Sequence, residues 1–358
     1  MRAAVIATLA VACCTTPAEA AESVEWMVKL TLDGRKIEGT PLAWSPEEVY
    51  LLARDGRIWQ FPPEEASNYR QTSSRFRGYS PSEFRAQLLR DLGREFEVSG
   101  TGHYLVAHPR GQRDEWAPRF EELYRSFVHY FSVRGLKLAK PPFPLVGVVC
   151  RDRRDFYRFS AKQGMPVTYG MLGYYLYGSN QIIVCNIDNR ADLDDWHRTA
   201  SVIIHEATHQ TAFNTGVHSR YTLPPVWVAE GLATMFEAPG VFDSRNHPNR
   251  SDRINRGRLR TFRKLAPRHK PELPIALIGS DRLFQTNPGA AYAEAWAMTF
   301  YLVETQPREY TQYLQLTAAR PPFGKYTPAE RMADFTSVFG DDWQMFEARF
   351  LRFMAEVD

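Results

Sequence analysis

His205-Glu206-Ala207-Thr208-His209 sits inside the run Ala200-Ser201-Val202-Ile203-Ile204 to Phe213, and it decides how the rest of the chain is read. On an α-helix, residues four apart share a face, about 6 Å from one another. Two imidazoles so placed can both reach one Zn²⁺ at about 2.0–2.1 Å. Glu206, beside the first of them, is then positioned to act as general base on water. The flanking residues suit a helix. Asp192, Asp194 and Asp195 offer an N-cap and first-turn acids. Val202, Ile203, Ala207 and Phe213 give one apolar side, and Asn214 and Gly216 offer a C-cap.

Two histidines do not close a zinc site, and the third ligand sets the subclass. The pattern H-E-x-x-H-x-x-G-x-x-H would need Gly and His in the next two turns. Ala212 and Thr215 occupy those positions, which excludes it. Glu230, in Trp227-Val228-Ala229-Glu230-Gly231-Leu232-Ala233, is the expected third ligand. Pro224-Pro225 breaks the chain, and Pro225 suits the first position of a new helix, which puts Glu230 in its second turn. Gly231 has no side chain and is expected to let this second helix pack closely on the first. Glu237 is the nearby competing acid.

With these motifs in view, the stretch from about residue 120 to 305 resembles a gluzincin domain, the group that includes thermolysin and the leukotriene-hydrolase type of aminopeptidase. It is closer still to uncharacterised exported bacterial gluzincin-like families. The shared pattern is an H-E-x-x-H helix, a later W-x-x-E-G-x-A helix and a Tyr-containing A-W helix, here Ala291-Tyr292-Ala293-Glu294-Ala295-Trp296-Ala297. The chain departs from the best-known members in spacing, with twenty residues between His209 and Glu230. The resemblance implies zinc and peptide hydrolysis but carries no substrate. It further implies that Tyr292 donates to the oxyanion; were Tyr292 a core aromatic instead, Tyr301 or His218 would be the next donors to try. It also implies that Gly173–Tyr177 is an edge strand along which a peptide substrate lies by β-augmentation. No G-x-M-x-N motif is present, which tilts the reading toward endo-cleavage.

Composition bounds the remainder. At 358 residues the chain suggests one large and one small domain. A net charge of +3 argues against nucleic acid as the main partner. Arg2, the apolar run Ala3–Cys14 and Ala18-Glu19-Ala20 read as a signal peptide over residues 1–20. That run is too short to span a bilayer, which takes about 20 apolar residues. No later segment qualifies as transmembrane, so a periplasmic or extracellular protein is expected. A weaker alternative is a lipoprotein through Cys13. Cys150 and Cys185 then remain, near the ends of the candidate strands Pro144–Cys150 and Gln181–Ile187. They bridge only if those strands are neighbours, and two buried thiols are slightly favoured.

The N-terminal region reads as β. Val28–Leu32, Val49–Ala53 and Arg57–Phe61 are strand-like, and Asp33-Gly34 and Asp55-Gly56 are turn signals. The expectation is a small β-barrel of the SH3-like kind over 21–66, a linker over 67–80, and a gluzincin-like domain over 81–358. The fold class is α+β, a zincin domain with a mixed sheet plus active-site helices. Within it, a helix at about 81–94, a strand at Tyr104–Ala107 and an aromatic-striped helix from Trp116 to Phe131 precede a hairpin turning at Gly178-Ser179-Asn180. Residues 244–270 carry ten Lys or Arg; such a run could recognise an acidic substrate or cell-surface polymer, but reads rather as a solvated helix and loop. His197, two turns before His205, reads as helix surface; His103, His108, His129, His247 and His269 have no ligand partner at telling spacing.

The functional expectation is an exported zinc hydrolase, most simply a metallopeptidase. His205, His209 and Glu230 are the ligands, with Glu206 and Tyr292 as catalytic groups. The alternative is a catalytically weak or inactive zinc-binding scaffold at the cell envelope, against which the retention of Glu206 argues.

Overall fold

The computed structural model describes residues 26–358 except 112, 169, 187–192 and 269–271. The expected signal peptide, Cys13, Asp192 and His269 lie outside the described residues, as do the side chains of Asp194, Asp195 and His197. The chain divides into two compact units: residues 26–53 with Trp59–Phe76, and Arg54–Ile58 with Arg77–Asp358.

The first unit is a five-stranded antiparallel sheet built from β1 (Met27–Leu32), β2 (Arg35–Trp44), β3 (Val49–Ala53), β4 (Ile58–Phe61) and β5 (Ala66–Ser73), in the order β4-β3-β2-β1-β5. Val28, Leu30 and Leu32 alternate inward on β1 and meet Ile37, Val49, Leu51 and Phe61. Asp33 and Gly34 both take positive φ, 48° and 73°, as a tight turn matched to strand twist requires. Gly39 is demanded by close pairing, since a Cβ there would fall 2.2 Å from the Leu52 carbonyl oxygen.

Two expectations are corrected in this unit. The sheet is open, with β4 and β5 as its two edges, so no SH3-like barrel closes among the described residues. The segment expected as a linker over 67–80 holds β5, which pairs with β1. Its side chains are polar and almost all exposed, so no inward apolar alternation marks it as a strand.

In the second unit, β6 (Phe96–Gly100), β7 (Tyr104–Pro109), β8 (Leu145–Cys150), β9 (Gly173–Leu176) and β10 (Gln181–Cys185) form a mixed sheet in the order β6-β7-β8-β10-β9. The pairs β7–β8 and β8–β10 are parallel, and the outer pairs are antiparallel. The central strands are buried along their whole length, as strands covered on both faces must be. One face packs α1 (Pro81–Leu92) and α3 (Arg153–Lys162) through Phe84, Leu88 and Phe156. The other packs α2 (Arg113–Ser132) and α4 (Leu193–Thr215) through Trp116, Phe120, Ile203 and Phe213. Cys150 and Cys185 stand opposite each other on β8 and β10, both as buried free thiols.

The rest of the unit is helical: α5 (Val226–Phe236), α6 (Pro239–Phe242), α7 (Arg256–Leu265), α8 (Leu273–Gly279), α9 (Arg282–Thr286), α10 (Pro288–Thr305), α11 (Pro307–Ala318), α12 (Pro328–Phe339) and α13 (Trp343–Glu356). Helix α10 is buried on nearly every side and forms the axis of this layer. Gly231 serves a different contact from the one expected. A Cβ there would lie 2.2 Å from Thr299 Oγ1 and 2.6 Å from the Ala295 carbonyl oxygen, so the close approach is of α5 to α10 rather than to α4. Among the described residues, no helix is long and apolar enough to cross a membrane.

Candidate metal centre

Helix α4 is fixed to the sheet by its polar side chains. Gln210 Nε2 donates to the carbonyls of Asn180 (2.7 Å) and Val146 (3.1 Å), and Asn214 Nδ2 donates to Asn180 Oδ1 (2.7 Å). Gly173 lets α4 press on β9, since a Cβ there would meet Val202 Cγ1 at 2.5 Å. These contacts set the rotation of α4 and so aim His205, Glu206 and His209. Helix α5 is held at its start by Asp281, which accepts from the Val226 N–H (3.0 Å) and pairs in a fork with Arg331 (2.9 Å to each oxygen). Pro225 is its N-cap, one position before the helix proper, and Glu230 falls in the second turn.

The structure brings His205, His209 and Glu230 together. His205 Nε2 is 3.1 Å from Glu230 Oε2 and 3.1 Å from His209 Nε2, and His209 Nε2 is 3.5 Å from Glu230 Oε2. Ligand atoms around a tetrahedral zinc with bonds of about 2.0–2.1 Å lie about 3.3–3.4 Å apart. Two imidazole nitrogens and one carboxylate oxygen at these separations are a group that can hold a metal ion.

The surroundings of the triad are less legible in the sequence. The other nitrogen of His205, Nδ1, donates to Glu237 Oε1 at 2.8 Å. A carboxylate only accepts, so this contact orients the ring and leaves Nε2 as the nitrogen that could ligate a metal. Glu237 is held in turn by Asn255, whose Nδ2 donates to Glu237 Oε2 (2.8 Å) and to the Thr234 carbonyl (2.9 Å). Glu237 is seven residues after Glu230, two helical turns, and that spacing was the available signal. His209 is different: its Nδ1 is buried with no hydrogen-bond partner among the described residues.

The protonation states follow from these contacts. Burial works against charge on His205, yet Glu230 and Glu237, facing its two nitrogens, raise its pKa well above the ordinary value. Burial likewise opposes the Glu230 charge, but His209 and His205 hold its carboxyl well below the usual range. Glu206 is raised chiefly by burial, while the neighbouring imidazoles and the Tyr175 backbone N–H pull the other way. His218, in the loop after α4, has its ring against Phe213 at 5.2 Å and is pushed down to about 3 by burial first and then by His209. It is a neutral, buried imidazole.

Tyr292, on α10, stands beside the triad with its ring centroid 6.5 Å from that of His205. Burial and then the charges of Glu230 and Glu206 push its phenol far above the ordinary value, so it stays a neutral donor. Arg258, on α7, lies over the Tyr292 ring at 4.9 Å. Tyr177, expected only as the end of a strand, also has its phenol raised by burial and by Glu230 and Glu206. Its ring packs edge-on against Phe213 at 4.7 Å. Tyr301 is buried among Phe346, Phe350 and Phe353, at ring distances of 5.4–5.8 Å, and belongs to the helical core.

Among the described residues, strand β9 is an edge strand, paired with β10 alone. The Leu172 and Leu176 carbonyls accept from the Cys185 and Asn180 N–H groups, at 2.7 and 2.8 Å. By alternation, the backbone groups of Gly173 and Tyr175 face away from β10.

A family model described as "Protein of unknown function (DUF1570)" matches residues 199–324, a span that includes all three members of the triad. No curated protein shows significant similarity to the chain. Among solved structures, a glutamate-to-alanine mutant of the M1 zinc metallopeptidase from Deinococcus radiodurans is similar at 13% identity and a TM-score of 0.41, covering 71% of this chain and 48% of that one. The same mutant bound to a Tyr-Ser-Ala substrate gives 13% and 0.40, and the enzyme itself 14% and 0.36, with the same coverage. The chain therefore spans about half the length of the solved structures it matches.

Proposed function

We propose that the protein is an exported zinc metallopeptidase of the gluzincin type, with His205, His209 and Glu230 as the ligands. The observation that carries this reading is the set of separations among the three ligand atoms, 3.1, 3.1 and 3.5 Å, with Glu206 on the same helix between the two histidines. A bound zinc supplies a Lewis acid that polarises a carbonyl and acidifies water. Glu206, its carboxyl raised above the ordinary range by burial, takes the proton of the attacking water and passes it to the departing amine. Tyr292 remains protonated and donates its O–H to the oxygen on which negative charge develops. The outward backbone groups of Gly173 and the outward carbonyl of Tyr175 on β9 receive an extended peptide, whose own amides complete the ladder, while the Tyr175 N–H stays on Glu206.

The test is metal analysis of the purified protein joined to cleavage of a broad peptide library. One zinc per chain and cleavage of a subset of peptides is the expected result. Zinc without any cleavage would favour the scaffold reading, and no zinc at all would overturn both.

A further inference from the structure

We infer that Arg258 is a substrate-recognition residue and that the preferred ligands are peptides bearing a carboxylate beside the bond to be cut; this rests on the peptidase reading above. Helix α7 holds one Arg at the site and turns others to solvent. Leu259 and Phe262 are buried and anchor it, Arg256 and Arg260 are exposed, and Arg258 is half-buried with its side chain 31% accessible. Its place is fixed from below. Asn255 accepts from the Arg258 N–H (3.2 Å) while donating to Glu237, the partner of His205. The start of α7 is thus tied to the triad by an unbroken set of hydrogen bonds.

The guanidinium lies 4.9 Å over the Tyr292 ring and 4.0 Å from Glu237 Oε1. Glu237 is the acid nearest it, and both of its oxygens are already engaged, by His205 and Asn255 at 2.8 Å each. Among the described residues, no hydrogen bond is made by the Arg258 guanidinium. It therefore presents a planar fork of five N–H donors at the rim of the site. That geometry suits a carboxylate, which binds such a fork through two parallel hydrogen bonds. The carboxylate has two possible sources, an Asp or Glu side chain or the free C-terminus of a short peptide.

The experiment compares matched peptides: Asp or Glu against Asn or Gln at each position around the cleaved bond, and free C-termini against C-terminal amides. Two readouts are taken, kcat/KM on the zinc-loaded protein and calorimetric affinity on its Glu206→Gln form. A charge-assisted fork is expected to favour the carboxylate peptide about ten- to a hundredfold over its neutral isostere. Arg258→Gln should bring that ratio toward one, and Arg258→Glu should invert it. The arm in which the preference appears names the source of the carboxylate. If Arg258 merely supports Tyr292 or Glu237, the variants will slow acidic and neutral peptides alike and leave the ratio intact, which overturns the inference. A wild-type protein that cleaves peptides with no preference for a carboxylate also overturns it while leaving the peptidase reading standing. Arg258-dependent affinity for acidic peptides without cleavage would do the reverse.

Discussion

On one wall of the site, α4 carries His205, Glu206 and His209 within a single helical turn, and Gln210 and Asn214 lock that helix to the sheet. On the opposite wall, Glu230 and Glu237 come from α5 and its C-cap, Asn255 and Arg258 from the start of α7, and Tyr292 from α10. The two ligand histidines feel this difference. His205 faces the second wall and is gripped by Glu237, whereas the far nitrogen of His209 has no partner among the described residues. The first wall is set by local spacing and, on the proposed reading, supplies the chemistry. The second is assembled from three helices and supplies the proposed third ligand, orientation and charge.

Substitutions can separate the two walls. Removing a ligand from either should have the largest effect: His209→Ala and Glu230→Ala each should lose most of the zinc, read by elemental analysis after dialysis. Tyr292→Phe should cut kcat by about a hundredfold with KM little changed, because the hydroxyl acts only as charge develops. Wild-type turnover by that variant would leave Tyr292 as a packing aromatic. Glu237→Gln should weaken zinc binding by about ten- to a hundredfold, the usual cost of losing an outer partner of a ligand histidine. A competition titration that finds unchanged affinity would remove Glu237 from the account.

The pH dependence should show both walls together. In metal-free protein His205 has its pKa raised, so its contribution to stability is full below the unfolded value of about 6.5 and fades as pH rises through the higher folded value. Glu230 has its pKa depressed, so its contribution is full above the unfolded value of about 4.3 and fades as pH falls through the lower folded one. The pair should therefore stabilise the metal-free fold most between those two unfolded values. Zinc must displace the His205 proton, so the rise in Tm on adding zinc should grow with pH. A zinc-induced shift that does not change between pH 5 and 8 would contradict this. The smallest effect is expected of Gly231→Ala, which should destabilise the fold by about 1–3 kcal/mol by forcing α5 away from α10. Thermal melts would show it.

What could be read from the chain follows the same division. The α4 face was legible because its spacing and apolar periodicity sit in one continuous run, and Glu230 and Tyr292 stood in short motifs of their own. Strand β2 was not read because Gly39 and Pro41 interrupt its β-like pattern, and its register shifts between Pro41 and Ala43. Strand β5 was lost because exposed polar residues carry no inward alternation. The hydrogen bonds of Asn255 with Glu237 and the position of Arg258 over Tyr292 depend on contacts 18 and 34 residues apart, which no local pattern encodes. Gly231 was read as a packing glycine, but the helix it meets is decided by the tertiary fold.

The most direct test of the central claim is Glu206→Gln, followed by zinc content and peptide cleavage on the same preparation. Glu206 belongs to the motif but not to the ligand set, so the account predicts one zinc per chain, as in wild type, and hydrolysis reduced by about 10²–10⁴-fold. Loss of the metal, or cleavage at the wild-type rate, would contradict it.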